Sequence, residues 1–123
     1  MNLPPPPSKP RPQPVRGEVW IVDFPNRPND PHLPRPAIII SNDLINKYAE
    51  AVLAIPVSAV PRGKLLPTHV LLPKGAGGLL KESRAMCEQI VSIDKYQLGK
   101  APIGTMPATV MDSMVKALNK AVE

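Results

Sequence analysis

The 123-residue chain has room for one domain with a core of its own, and a hydrophobic share of 43% is ordinary for a globular protein. Eighteen prolines against 7 glycines depart strongly from average usage. The single cysteine, Cys87, excludes an intrachain disulfide, and no apolar run nears the roughly 20 residues that span a bilayer. Met1-Asn2-Leu3-Pro4 lacks the charged-then-apolar pattern of a secretory signal, so a soluble, cytoplasmic protein is expected. A net charge of +5 points to a polyanionic partner, because Lys and Arg gain from neutralising phosphates. Lys9 and Arg11 lie in the tail without acidic neighbours, so the folded part is only modestly basic.

Residues 1–14 carry Pro4 to Pro7, Pro10, Pro12 and Pro14 with almost no large apolar side chain, which predicts an extended polyproline arm outside the domain. The domain is expected to run from 15 to 123. Glu18 to Phe24 is rich in β-branched and aromatic residues and reads as the first strand. A long proline-punctuated loop follows over 25–36, and a loop of that length inside a compact domain is more often functional than idle.

Ala37 to Ser41 and Ala51 to Val57 are short apolar runs of the kind found in buried strands, with a short helix from Leu44 to Ala49 between them, capped by Asn42 or Asp43. Pro56 confines the end of its strand to an edge or bulge. Pro61 to Lys64 forms a basic turn, Thr68 to Leu72 a strand, Gly75 to Gly78 a turn, and Ser83 to Ile93 a further strand-like stretch. About five short strands at this spacing suggest a small barrel. Val110, Met111, Met114, Val115, Leu118 and Val122 share one helical face, predicting a packed C-terminal helix with Thr105 as its cap and Pro107 in its first turn.

Most catalytic signatures are absent. The glycine cluster is followed by Leu79-Leu80 rather than the Lys-Ser/Thr of a phosphate loop. Neither a Gly-x-Ser-x-Gly elbow nor a His-Glu-x-x-His pair occurs, and with only His32 and His69 a metal site would need carboxylates gathered from afar. A metal-free reaction is expected. What remains are polar residues at strand ends: Asp30, His32 and Arg35 before one strand and Ser58 after another. Arg35, held stiffly between Pro34 and Pro36, could grip a phosphate through two bonds, although a loop arginine in a surface ion pair is the commoner case.

The segments Arg16-Gly17-Glu18-Val19-Trp20-Ile21-Val22-Asp23-Phe24, Arg35-Pro36-Ala37-Ile38-Ile39-Ile40-Ser41-Asn42-Asp43, Ile55-Pro56-Val57-Ser58, Leu66-Pro67-Thr68-His69-Val70 and Glu88 to Lys95 occur in an order and spacing that resemble the MazF/PemK family of messenger-RNA-cutting toxins. The resemblance implies a mainly β, SH3-like small barrel with a short helix and a C-terminal helix. It also implies a homodimer, inhibition by a cognate antitoxin with an acidic tail, and metal-independent endoribonuclease activity on single-stranded RNA without a cofactor.

Arg35 matches the family's catalytic arginine, and Ser58 stands where the family usually has threonine. Asp30 falls at the family's acidic position, whereas His32 has no standard counterpart but could act as general acid or base. Arg27, Arg62, Lys64 and Gln89 are the expected RNA-binding side chains. The loop 28–33 departs from the family's glycine-containing pattern, which keeps two alternatives open: a relative that binds nucleic acid or antitoxin without cleaving, and a gyrase-targeting toxin of the same fold.

Overall fold

The computed structural model describes residues 12–24, 34–59 and 64–123. Most of the expected proline arm, and the calls on Arg27, Asp30, His32 and Arg62, lie outside the described residues. The strands are β1 (Glu18–Val22), β2 (Arg35–Ile39), β3 (Ala51–Ala59), β4 (His69–Leu72), β5 (Ser83–Met86), β6 (Val91–Asp94) and β7 (Gly104–Thr105). The helices are α1 (Asp43–Tyr48) and α2 (Ala108–Val122). The seven strands form one sheet in the order β4-β5-β3-β2-β1-β7, with β6 also pairing to β3. This is the small, mainly β barrel that the sequence predicts.

The longest strand organises the sheet. One edge of β3 pairs with β2, and the other pairs first with β6 through residues 51–54 and then with β5 through 57–59. Pro56, which has no N–H to donate, stands where that second edge changes partner. The proline expected at an edge is thus tolerated inside a central strand because the ladder is interrupted there.

Apolar alternation sorts side chains onto two faces. On one, Val19, Ile38, Ile55, Val57, Leu72 and Ala85 pack with Met106, Met111, Met114 and Ala117 under α2. On the other, Trp20, Val22, Ala37, Ile39, Val52, Ala54, Ile93 and Leu98 form a second cluster. Burying one such aliphatic side chain stabilises the fold by about 1.5–3 kcal/mol.

Helix α1 starts at Asn42, whose side chain accepts a hydrogen bond from the Ile45 N–H at 2.9 Å, which resolves the choice of cap. The next residue, Asp43, accepts from the Arg16 N–H at 2.8 Å and so ties the domain's entry to this helix. That bond, more than the further one from Asn46, holds the Asp43 carboxyl below its ordinary range. Buried Asn46 donates to the Ser41 carbonyl and accepts from the Ser41 hydroxyl, joining α1 to the end of β2.

Other expectations shift. The stretch 83–93 is not one strand: a 3₁₀ turn over Cys87–Gln89 separates β5 from β6, because the chain must leave one part of the β3 edge and rejoin it at another. Thr105 lies in β7, and Pro107 occupies the N-cap position of α2 without a side-chain bond. Ala117 is buried where Val115 and Val122 were expected, since those two valines face outward. The Gly75–Gly78 turn packs directly on β7: Gly78 has φ +83°, and a Cβ added there would collide with the Ile103 carbonyl.

Candidate active site

Arg35 is the first residue of β2 rather than part of the preceding loop, and Ser58 lies within β3 rather than beyond it. The β2–β3 register pairs Ala37 with Pro56. The ladder ends at that pair, and Arg35 and Ser58 each lie two residues beyond it on their own strands, on the side of Ala37 and Pro56 by the alternation of a strand. The two residues separated by 23 positions in sequence thereby share one face of the sheet.

That face belongs to the second cluster, whose apolar surface reaches Ala37 and Ala54 and then gives way to polar groups. A single row crosses the sheet there: Val22 pairs with Arg35, and Ser58 pairs with Arg84, which pairs in turn with Leu71. Arg35 is exposed and Ser58 half-buried, with its hydroxyl donating to the Ala59 carbonyl at 3.2 Å. A guanidinium and a hydroxyl at the open end of a rigid apolar wall suit an anionic ligand, the first as a bidentate cation and the second as a reorientable donor.

Beyond Ser58 lies a polar assembly that the sequence did not single out. Arg84 is only 4% exposed. Its Nη1 donates to the Lys64 carbonyl at 3.1 Å and to His69 Nδ1 at 3.2 Å. His69 Nδ1 also accepts from the Leu66 N–H at 3.2 Å, so the ring proton resides on Nε2, which lies 3.2 Å from Glu88 Oε1. Thr68 donates to the same oxygen at 3.1 Å. Burial pushes the Glu88 carboxyl up, but its own backbone N–H, the Thr68 hydroxyl and His69 together outweigh that and hold it below the ordinary carboxylate range.

Of the expected RNA-binding side chains among the described residues, Lys64 and Gln89 are both exposed, at opposite ends of this assembly. Lys64 offers its backbone carbonyl to Arg84, and Gln89 follows Glu88 in the 3₁₀ turn. The sequence signal for the assembly was one charged residue, Arg84, between the small residues Ser83 and Ala85 in a strand. Cys87 is fully buried, and burial, aided by Glu88, pushes its thiol up to about 11, so it packs as an apolar group. Among the described residues no helix is long and apolar enough to cross a membrane.

Comparison with known proteins gives this arrangement a context. A family model for the PemK-like, MazF-like toxin of type II toxin-antitoxin systems matches residues 15–122. Endoribonuclease MazF9 of Mycobacterium tuberculosis is 35% identical over 108 residues, covering 84% of this chain and 91% of the relative. Endoribonuclease MazF of Staphylococcus saprophyticus is 30% identical, covering 88% and 87% respectively. Among solved structures, a mycobacterial endoribonuclease in complex with its cognate antitoxin superposes with a TM-score of 0.73 at 23% identity, over 89% of this chain and 94% of that one. Deinococcus radiodurans MazF gives 0.72 at 22%, over 89% and 96%. The family match over residues 15–122, with relatives 35% and 30% identical over most of their length, establishes that the chain belongs to the PemK/MazF toxin family of type II toxin-antitoxin systems.

Proposed function

We propose that the chain is a metal-independent endoribonuclease that cuts single-stranded RNA and acts as a toxin neutralised by a cognate antitoxin. The observation that carries this reading is that Arg35 and Ser58 lie on one face at the polar margin of the sheet, just beyond the β2–β3 ladder, in a chain whose relatives are endoribonucleases.

In the reaction the substrate's 2′-oxygen forms a bond to the adjacent phosphorus while the bond to the 5′-oxygen breaks. One product carries a cyclic phosphate and the other a free 5′-OH. The 2′-OH loses a proton and the departing 5′-oxygen gains one. Negative charge grows on the non-bridging oxygens between these events, and a guanidinium and a hydroxyl placed beforehand stabilise it without reorganising. Arg35 supplies the cation and a share of the proton transfer, and Ser58 donates to a phosphate oxygen or orients the 2′-OH. Asp30 and His32 are proposed on sequence grounds as the remaining proton carriers.

The same reading places RNA along Lys64 and Gln89, together with Arg27 and Arg62, and gives the protein a homodimeric form in the cytoplasm. On sequence grounds this reading takes 15–123 as the toxin domain and the proline-rich stretch 1–14 as an arm outside it. The test uses purified full-length protein, single-stranded RNA and excess chelator. Cleavage is expected, and an RNA whose 2′-OH groups are replaced by hydrogen should survive. Cleavage of the deoxy substrate, or loss of activity in chelator, overturns the mechanism. Intact RNA with salt-sensitive binding would instead mark a binding protein.

A further inference from the structure

We infer that Arg84, acting through His69 and the Lys64 backbone, is a positioning residue that determines which RNA sequences flanking the cut are accepted. The inference rests on the endoribonuclease reading and adds to it a residue that neither touches the reacting phosphate nor belongs to the Arg35–Ser58 pair.

Arg84 is 4% exposed, and the two hydrogens of its Nη1 are divided between the Lys64 carbonyl and His69 Nδ1. That donor is therefore directed at the protein and not at a ligand. Hydrogen bonds from an ionised donor in a dry site are short-ranged and strongly directional, and a planar guanidinium is already organised to make them. Their effect is to tie three stretches of chain together. Arg84 lies in β5 directly across from Ser58. The Lys64 carbonyl and the Leu66 N–H, which bonds the same His69 nitrogen, belong to the segment preceding β4. His69 Nε2–H and the Thr68 hydroxyl hold Glu88, next to Gln89 in the turn over Cys87–Gln89.

Arg84 and His69 thus set the distance between Ser58 and two exposed side chains, Lys64 on one side and Gln89 on the other. Those side chains reach nucleotides beside the scissile bond. A change at Arg84 displaces what they contact while leaving β2 and β3, which carry Arg35 and Ser58, in their own ladder. Its kinetic signature is weakened binding of substrate and relaxed choice of site, with the chemical step preserved.

The decisive experiment compares wild type, Arg84→Met, Arg84→Lys, His69→Leu and the Arg84→Met/His69→Leu double variant. Each is assayed on an oligoribonucleotide containing a wild-type cleavage site, and for binding to the same oligonucleotide with the 2′-OH at the cut replaced by hydrogen. For Arg84→Met the expected result is a rise of about tenfold in KM and in the Kd of the uncleavable strand, with kcat within about threefold of wild type. Mapped 5′ ends should spread over more sites. The double variant should be no worse than either single change, because both break one chain of contacts. Arg84→Lys, which keeps a donor on a shorter arm, should recover part of the affinity and covers the case in which the methionine variant does not fold.

A hundredfold loss of kcat at unchanged KM overturns the inference, as do additive effects or an unaltered cleavage pattern. A readout independent of cleavage separates this from failure of the endoribonuclease reading. Nitrogen NMR of His69 without RNA should show the Nε2–H tautomer in wild type and a mixture in Arg84→Met. A His69 signal unaffected by the substitution refutes the positioning role whether or not the wild type cuts RNA.

Discussion

The two faces of the sheet divide the work of the molecule. The face beneath α2 is closed: Met111, Met114 and Ala117 fill it, and Gly78 lets the neighbouring turn lie against Ile103 with no space left for a side chain. The other face is apolar through Val22, Ala37 and Ile39 and then opens onto Arg35, Ser58 and the Arg84–His69–Glu88 assembly. A rigid, dry wall on one side allows polar groups on the other to be held without moving, which catalysis by electrostatic stabilisation requires.

The open face depends most on Arg35. Arg35→Ala should lower kcat on single-stranded RNA by about 10³-fold, and Ser58→Ala by about 10²-fold, with the urea midpoint of either variant close to wild type. A wild-type rate for Arg35→Ala removes the residue from the mechanism. The opposite outcome is expected on the closed face. Met114→Ala deletes a fully buried side chain and should destabilise the domain by about 2–4 kcal/mol in urea denaturation, leaving kcat of the folded fraction unchanged. A loss of kcat beyond the loss of folded protein would show that the two faces are coupled.

A weaker effect is expected at the domain entry, which Asp43 ties to α1. The Asp43 carboxyl is held below its ordinary value of 3.8, so the unfolded chain takes up the proton first as pH falls. Stability from this group is complete above the ordinary carboxylate range and is lost as pH drops through the folded value. Asp43→Ala should lower the neutral plateau of a stability–pH curve and flatten part of its acid limb, so that variant and wild type converge at the acid end. An unchanged acid limb would assign that limb to other carboxylates, Glu88 first among them.

Much of this architecture was legible one segment at a time. The β-branched run at 18–22, the apolar runs leading into β2 and β3, the Asn42 cap and the 3.6-residue stripe of Met111 and Met114 are local patterns, and local patterns survive folding when one face is buried. Arg35 and Ser58 could be named because each ends an apolar strand and because the order of segments resembles a family. Their sharing one face is a matter of register, which depends on pairings between residues far apart in sequence.

A mainly β chain, a final amphipathic helix and membership of a family of RNA-cutting toxins could all be read from the linear order of residues. Where 83–93 breaks was not legible there, because it depends on β3 offering one edge to two partners. Only the tertiary structure joined Arg84 to His69 and Glu88. A buried charge is tolerated where the fold supplies its hydrogen-bond partners, and those partners, Lys64 and His69, come from a different strand and the segment before it. Composition and spacing carry no record of such a meeting, since it is specified by the bend of the sheet rather than by any single segment.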